Sequence, residues 1–288
     1  MLGESPTWSV AEQALYWVDI GAGQPTPGEP PSWLHRFEPS SGHVRSWPLP
    51  ETVGSFALCE GGGALVAILS GLHHLDFASG ALTLRVKTPY DPATQRFNDG
   101  KCDRARRFWV GQVRRSAIEP PPVGDLYCYD GHALRAGGFI HGTSNSLAWS
   151  PDNRTMYFCD SVQSTIWAMD YDMERGMFSN RRPFVTTPQR SIFDGAAVDA
   201  EGGFWVALFK GGKVQRYLPD GRLDSEIALP VSNPTMVAFG GPELRTLYIT
   251  TARAFLNDVE LAQQPLAGAL FSCEPGVQGL PEPQFRDQ

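Results

Sequence analysis

One apolar pattern recurs six times along the chain. The runs are ALYWVDI at 14–20, ALVAIL at 64–69, RFWVGQV at 107–113, TMYFCDS at 155–161, GFWVALF at 203–209 and TLYITTA at 246–252. Aligned on Tyr16, Val66, Trp109, Tyr157, Trp205 and Tyr248, successive repeats are 50, 43, 48, 48 and 43 residues apart. A second short run follows each anchor (LHRFEP, LHHLDF, LYCYDG, IWAMDY, VQRYLP, LFSCEP). A third precedes it and ends in a polar turn such as SPDN or AEGG. The runs are short, rich in β-branched and aromatic residues, and separated by Gly, Pro, Asp and Asn, which marks strands and tight turns. Helical periodicity is absent except over 257–264, where one turn fits. A unit of roughly 45 residues with three or four strands is the signature of a propeller blade. The pattern therefore predicts an all-β, six-bladed β-propeller in which residues 1–288 form a single domain. A two-sheet sandwich cannot hold six equivalent units of this length.

In such a blade the first strand lines the central channel. Counting back 11 or 12 residues from each anchor reaches the entrance of that strand, at Glu4, Gly54, Asn98, Asn145, Asp194 and Met236. Four of these six carry a side-chain oxygen, and the blade geometry aims all four at one mouth of the channel. Oxygen donors without cysteine are hard ligands, suited to calcium, magnesium or manganese, and a cation would relieve repulsion between Glu4 and Asp194. The pattern alone equally admits a plainer reading, in which these residues cap strand entrances and bind channel water. The long connections at 21–32, 114–125 and 252–268 belong to the same face, where functional loops are common; the two Pro-rich ones also read as spacers.

Composition narrows the class. With 42% hydrophobic and 19% charged residues the chain is globular. A net charge of -7 and the absence of a basic run argue against a nucleic-acid partner. No apolar stretch reaches the roughly 18 residues of a membrane span, and MLGESPTW does not resemble a signal peptide, so a cytoplasmic location is expected. The expected assembly is a monomer or weak homodimer. The five cysteines are odd in number, widely spaced and without a C-x-x-C, so they read as buried reduced thiols. His73 and His74 alternate across a strand, and His141, four residues before Asn145, is a candidate for the mouth.

LGESPTW…LYWVDI, RFNDGKCD, NSLAWSPD…MYFCDS and FDGAAVDAEGGFWVA together resemble the sugar-lactonase family of gluconolactonase, regucalcin (senescence marker protein) and luciferin-regenerating enzyme, over nearly the whole chain. The resemblance implies a six-bladed propeller with one divalent cation, calcium ahead of zinc, magnesium, manganese and iron. It implies Glu4, Asn145 and Asp194 as metal ligands, Asp194 also as the acid/base residue, and Arg96 and Asn98 as substrate contacts. Four features depart from the family pattern. Asn145 is followed by Ser146 where the family has glycine, and Phe193 stands where it has proline. A substrate-binding acidic residue of regucalcin aligns near Ser116, behind Arg114 and Arg115. Only three residues precede Glu4, where family members carry an extra strand that completes the last blade; either the true start lies upstream or PEPQF at 281–285 closes the ring.

The implied reaction is hydrolysis of a small-molecule sugar lactone, an aldono-1,4- or 1,5-lactone, to the sugar acid. A cation polarises the ester carbonyl and a carboxylate relays the proton. An inward Arg114 or Arg115 would favour an acidic lactone; a neutral five- or six-carbon lactone is the leading expectation. A serine nucleophile finds no support, since no G-x-S-x-G occurs. A metal-dependent phosphoester or organophosphate hydrolase and a non-catalytic calcium-binding or scaffold propeller are the alternatives.

Overall fold

The strands that carry the six anchors are sealed from solvent because every one is flanked by its own blade and by the next. Tyr16, Val66, Trp109, Tyr157, Trp205 and Tyr248 are all buried. Their aromatic members each remove on the order of 150–250 Å² from water. The computed structural model describes residues 1–21, 30–115, 124–139, 142–187 and 192–287. Among them are six antiparallel sheets, five of four strands and one of three, each running outward in sequence order from its inner strand. The inner strands are Gly3–Ser9, Val53–Leu58, Gln95–Cys102, Ser144–Trp149, Ile192–Val198 and Pro234–Gly240. Each packs against the next, and the sixth packs against the first, so the ring is closed. This is the six-bladed propeller that the repeat predicts.

Burial grades from axis to rim. The inner strand of blade two is buried at every position, whereas the outermost strand of blade four, Met177–Thr186, is mostly exposed. The short helix Asp258–Gln263 interrupts the connection at 252–268, where the sequence predicts one helical turn. Asn257 caps it, accepting from the backbone of Val259 and Glu260 while Glu260 returns the bond.

Ring closure differs from the expectation for 281–285. That segment does not extend blade six. Phe285 pairs in parallel with Cys59 of blade two, and its amide donates to the Leu58 carbonyl at 2.7 Å. Blades one and six are joined instead by the bridge between Leu2 and Ala252 and by the Thr235 hydroxyl, which donates to the Gly3 carbonyl at 2.6 Å. The last residues cross the end of the channel opposite Glu4. There Glu282 meets Lys101 at 3.1 Å, while the Lys101 ammonium also reaches the Ala196 carbonyl across the channel at 3.0 Å.

Candidate active site at one end of the channel

All six inner strands break register with their neighbour near the same end. A β-bulge places extra residues opposite the partner strand, bends the strand and re-aims its side chains. Asn98 and Asp99 form one such bulge, Asp194 and Gly195 another, and Glu4 and Asn145 stand at the edge of two more. The left-handed backbone at Ser5 (φ 53°) and Ser146 (φ 59°) belongs to these bulges.

The two blades without an oxygen donor shape the others. A Cβ on Gly195 would fall 2.2 Å from Met236 of blade six, so only glycine can follow Asp194 while Met236 packs there. A Cβ on Gly54 would fall 2.3 Å from the Phe97 carbonyl oxygen, so this glycine lets blade three approach closely next to Asn98.

Four of the five residues expected at the site are joined by hydrogen bonds, Asp194 through its backbone carbonyl, while Glu4 is tied to Asp194 and Arg96 by charge. Arg96 Nη1 donates to Asn98 Oδ1 at 2.8 Å, and Asn98 Nδ2 donates to Asn145 Oδ1 at 3.0 Å. Asn145 Nδ2 donates to the Ser161 hydroxyl at 2.9 Å, which in turn donates to the Phe193 carbonyl at 2.8 Å. This chain fixes the amide so that its oxygen, not its nitrogen, turns toward Asn98. The Ser146 hydroxyl donates to the Asp194 carbonyl and ties blade four to blade five. Two of the departures from the family pattern stand within this network. Ser146 takes the left-handed conformation that glycine would and adds a bond; Phe193 is buried and supplies the carbonyl that orients Asn145.

Charge is unbalanced here. Burial, then the charges of Asp194 and Asp99, push the Glu4 carboxyl well above its usual range, and Arg96 offsets only part of this. Burial and Asp99 raise Asp194 in the same direction. Asp99 is the residue the one-position-per-blade count passed over. It is buried, its Oδ2 accepts from the Leu147 amide at 3.0 Å, and its Oδ1 finds no hydrogen-bond partner among the described residues. The signal for it was the Asn-Asp-Gly triplet itself, because a bulge turns two consecutive residues toward the axis. Crowded buried carboxylates and an amide oxygen held by its own nitrogen make a donor set that fits a hard divalent cation.

Of the remaining expectations, Arg115 is exposed and its Nη1 donates to the Pro92 carbonyl at 2.9 Å. Arg114 is half-buried and pairs with Gln95 across the strand. Ser116, His141 and most of 21–32 and 114–125 lie outside the described residues.

The SMP-30/Gluconolactonase/LRE-like family model matches residues 2–253. The chain belongs to this family. It is 41% identical to a 6-deoxy-6-sulfogluconolactonase from Pseudomonas putida, over 99% of this chain and 95% of that one. It is 35% identical to an L-arabinolactonase from Azospirillum brasilense, over 99% and 92% respectively. Among solved structures it superimposes on a calcium-binding protein, regucalcin, from Agrobacterium tumefaciens with a TM-score of 0.91 and 29% identity, covering 99% of this chain and 94% of that one. The family relationship spans every blade, and the residues just described therefore lie within the shared region. No helix among the described residues is long and apolar enough to cross a membrane.

Proposed function

We propose that this protein hydrolyses a sugar lactone to the open-chain sugar acid, using one divalent cation held by Glu4, Asn145 and Asp194. The observation that carries the reading is the convergence of Glu4, Asp99 and Asp194 with too little positive charge to balance them, beside the hydrogen-bonding pair Arg96 and Asn98. Lactonases among the relatives support the chemistry, and the likeness to a calcium-binding regucalcin supports calcium as the ion.

A bound cation would supply Lewis acidity to the lactone carbonyl and counter-charge as its oxygen becomes anionic. Asp194 takes a proton from the attacking water and returns it to the ring oxygen as the carbon–oxygen bond opens, which makes it the acid/base residue. A carboxylate that also serves as a ligand is a weak base, adequate for a strained cyclic ester and poor for an amide. Arg96 donates to hydroxyl or carbonyl oxygens of the sugar, while Asn98 can donate and accept. Water and lactone are consumed and one hydroxy acid is formed, with no other reactant. A neutral aldono-lactone of five or six carbons is the favoured substrate, since Arg115 is tied to Pro92.

The test is a panel of glucono-, xylono-, arabinono- and glucaro-lactones assayed with chelator and after metal return. Turnover of neutral lactones that vanishes with chelator and returns with a divalent cation is expected. Turnover indifferent to chelator sinks the metal role; inactivity on every lactone with metal bound sinks the reaction.

A further inference from the structure

At the other end of blade two, away from Glu4 and Asp194, three side chains from three separate segments meet. Cys59 follows the inner strand Val53–Leu58 and its thiol is buried. His74 lies in the third strand, Gly71–Leu75, and Asp287 in the C-terminal segment. One ligand atom from each lies within 4.8 Å of the other two. His74 Nε2 and Asp287 Oδ2 are 3.5 Å apart. In a tetrahedral zinc site, with bonds of about 2.0–2.1 Å to nitrogen and oxygen, that edge is roughly 3.3–3.4 Å. The pair therefore already stands close to the spacing such a site requires, and the sulfur needs only a modest approach.

The segments are held independently of any ion. The Phe285 amide donates to Leu58 and the Glu60 amide to the Phe285 carbonyl at 3.0 Å, while the Phe285 ring stacks on Tyr129 with centroids 5.5 Å apart. Asp287 is thus delivered beside Cys59 by the chain's own packing. His74 Nε2 lies 3.1 Å from the Gly62 carbonyl and Arg85 Nη2 3.0 Å from Asp287 Oδ2, so a metal would displace the first bond and share the carboxylate with Arg85.

We propose that Cys59, His74 and Asp287 form a second metal site, for zinc or another borderline divalent ion, which clips the C-terminal segment to blade two. Thiolate, imidazole and carboxylate together select a borderline ion, unlike the oxygen-only set at the other end of the channel. Burial pushes the Cys59 thiol up to about 12, so it is an unreactive thiol until a metal displaces its proton. Water completes the fourth position from the solvent side, where His74 and Asp287 are partly exposed. This site is independent of the lactonase reading.

Cobalt(II) is the probe, because thiolate ligation produces an intense charge-transfer band that oxygen ligands do not. The full chain, free of any affinity tag, is titrated with cobalt and with zinc in competition. The expected result is one equivalent of thiolate-ligated cobalt per chain, displaced by zinc, with the band intact in Glu4→Gln and absent in Cys59→Ala. Zinc should slow hydrogen exchange over residues 280–287 in the parent protein and leave Cys59→Ala unchanged. Asp287→Asn, a change at a partly exposed side chain, provides a second variant should Cys59→Ala fold poorly, and zinc affinity should fall at least tenfold. No thiolate band at saturating cobalt, a band that survives Cys59→Ala, or unaltered zinc affinity in Asp287→Asn would each overturn the site.

Discussion

Asp199 and Asp194 stand five residues apart in blade five, both removed from solvent, and the protein treats them differently. Asp199 accepts from Arg216 Nε and Trp205 Nε1, each at 2.8 Å, and from the Gly203 amide at the same distance. Asp194 has no arginine or lysine partner among the described residues, and the charge that raises it after burial is another carboxylate, Asp99. Blade three repeats the contrast. Asp103 accepts from Arg107 Nε at 2.8 Å, Trp109 Nε1 at 3.1 Å and the Tyr171 hydroxyl at 2.5 Å, whereas Asp99, four residues before it, keeps one oxygen without a hydrogen-bond partner among the described residues. Burying a carboxylate is tolerable when a cation and donors surround it. Where the protein itself supplies too little of that company, the imbalance points to a ligand that brings the counter-charge.

This contrast can be broken from either side. The largest effect is expected at the paired end. Asp103→Ala strands Arg107, which has no second carboxylate partner among the described residues, and should cost about 3–5 kcal/mol in urea unfolding. Asp199→Ala should cost less, because Arg216 retains Glu201 at 3.0 Å and Asp224 at 2.9 Å. Neither change should alter kcat of the folded fraction. Equal costs, or lost turnover in folded protein, would defeat the assignment of this end to stability.

At the other end the balance reverses. Asp194→Asn keeps an oxygen but removes the proposed proton acceptor, so kcat should fall by ~10²-fold or more while the proposed cation should still bind, more weakly. Unfolding free energy of the metal-free protein should not drop, because a repelling charge has gone. Near-normal turnover with metal present would leave Asp194 a ligand only.

The smallest effect is on the pH profile of stability. Glu4 and Asp194 have folded values raised above their unfolded ones, near 4. Between those values the folded state holds more protons, so the metal-free protein should lose stability as pH rises from about 4 through the raised values. A divalent cation neutralises the same charges and should flatten the profile, widening the gap in Tm between loaded and metal-free protein toward neutral pH. Parallel profiles with and without metal would separate these carboxylates from the ion.

Much of this was legible in the sequence. Six anchors in phase identify six blades, because strand period and turn residues are local properties. Counting back from Trp109 or Trp205 finds Asn98 and Asp194 because blade geometry repeats. What the count could not see is the bulge. Asn98 and Asp194 lie 11 residues before their anchors and inside the bulge, whereas Glu4 and Asn145 lie 12 before and at its edge, so a count of one position per blade passes over Asp99. Ser161 was equally hidden, since its value lies in bridging Asn145 to the Phe193 carbonyl across two blades. Cys59 read as an ordinary buried thiol because His74 and Asp287, 15 and 228 positions away, give no local spacing motif.

The joint between the first and last blades has a consequence for how the site comes into being. The strand that carries Glu4 is held through Gly3 by Thr235, 232 positions further along the chain, and through Leu2 by Ala252. Contacts so distant in sequence carry a high loop-closure cost and form late in folding. Asn145 and Asp194 can meet as soon as blades four and five dock, but Glu4 joins them only when the circle shuts. With the proposed ligand set, the third oxygen donor would act as a completion signal: a nascent or opened chain would offer two of the three donors, and an ion drawn tightly by all three would report that every blade is present.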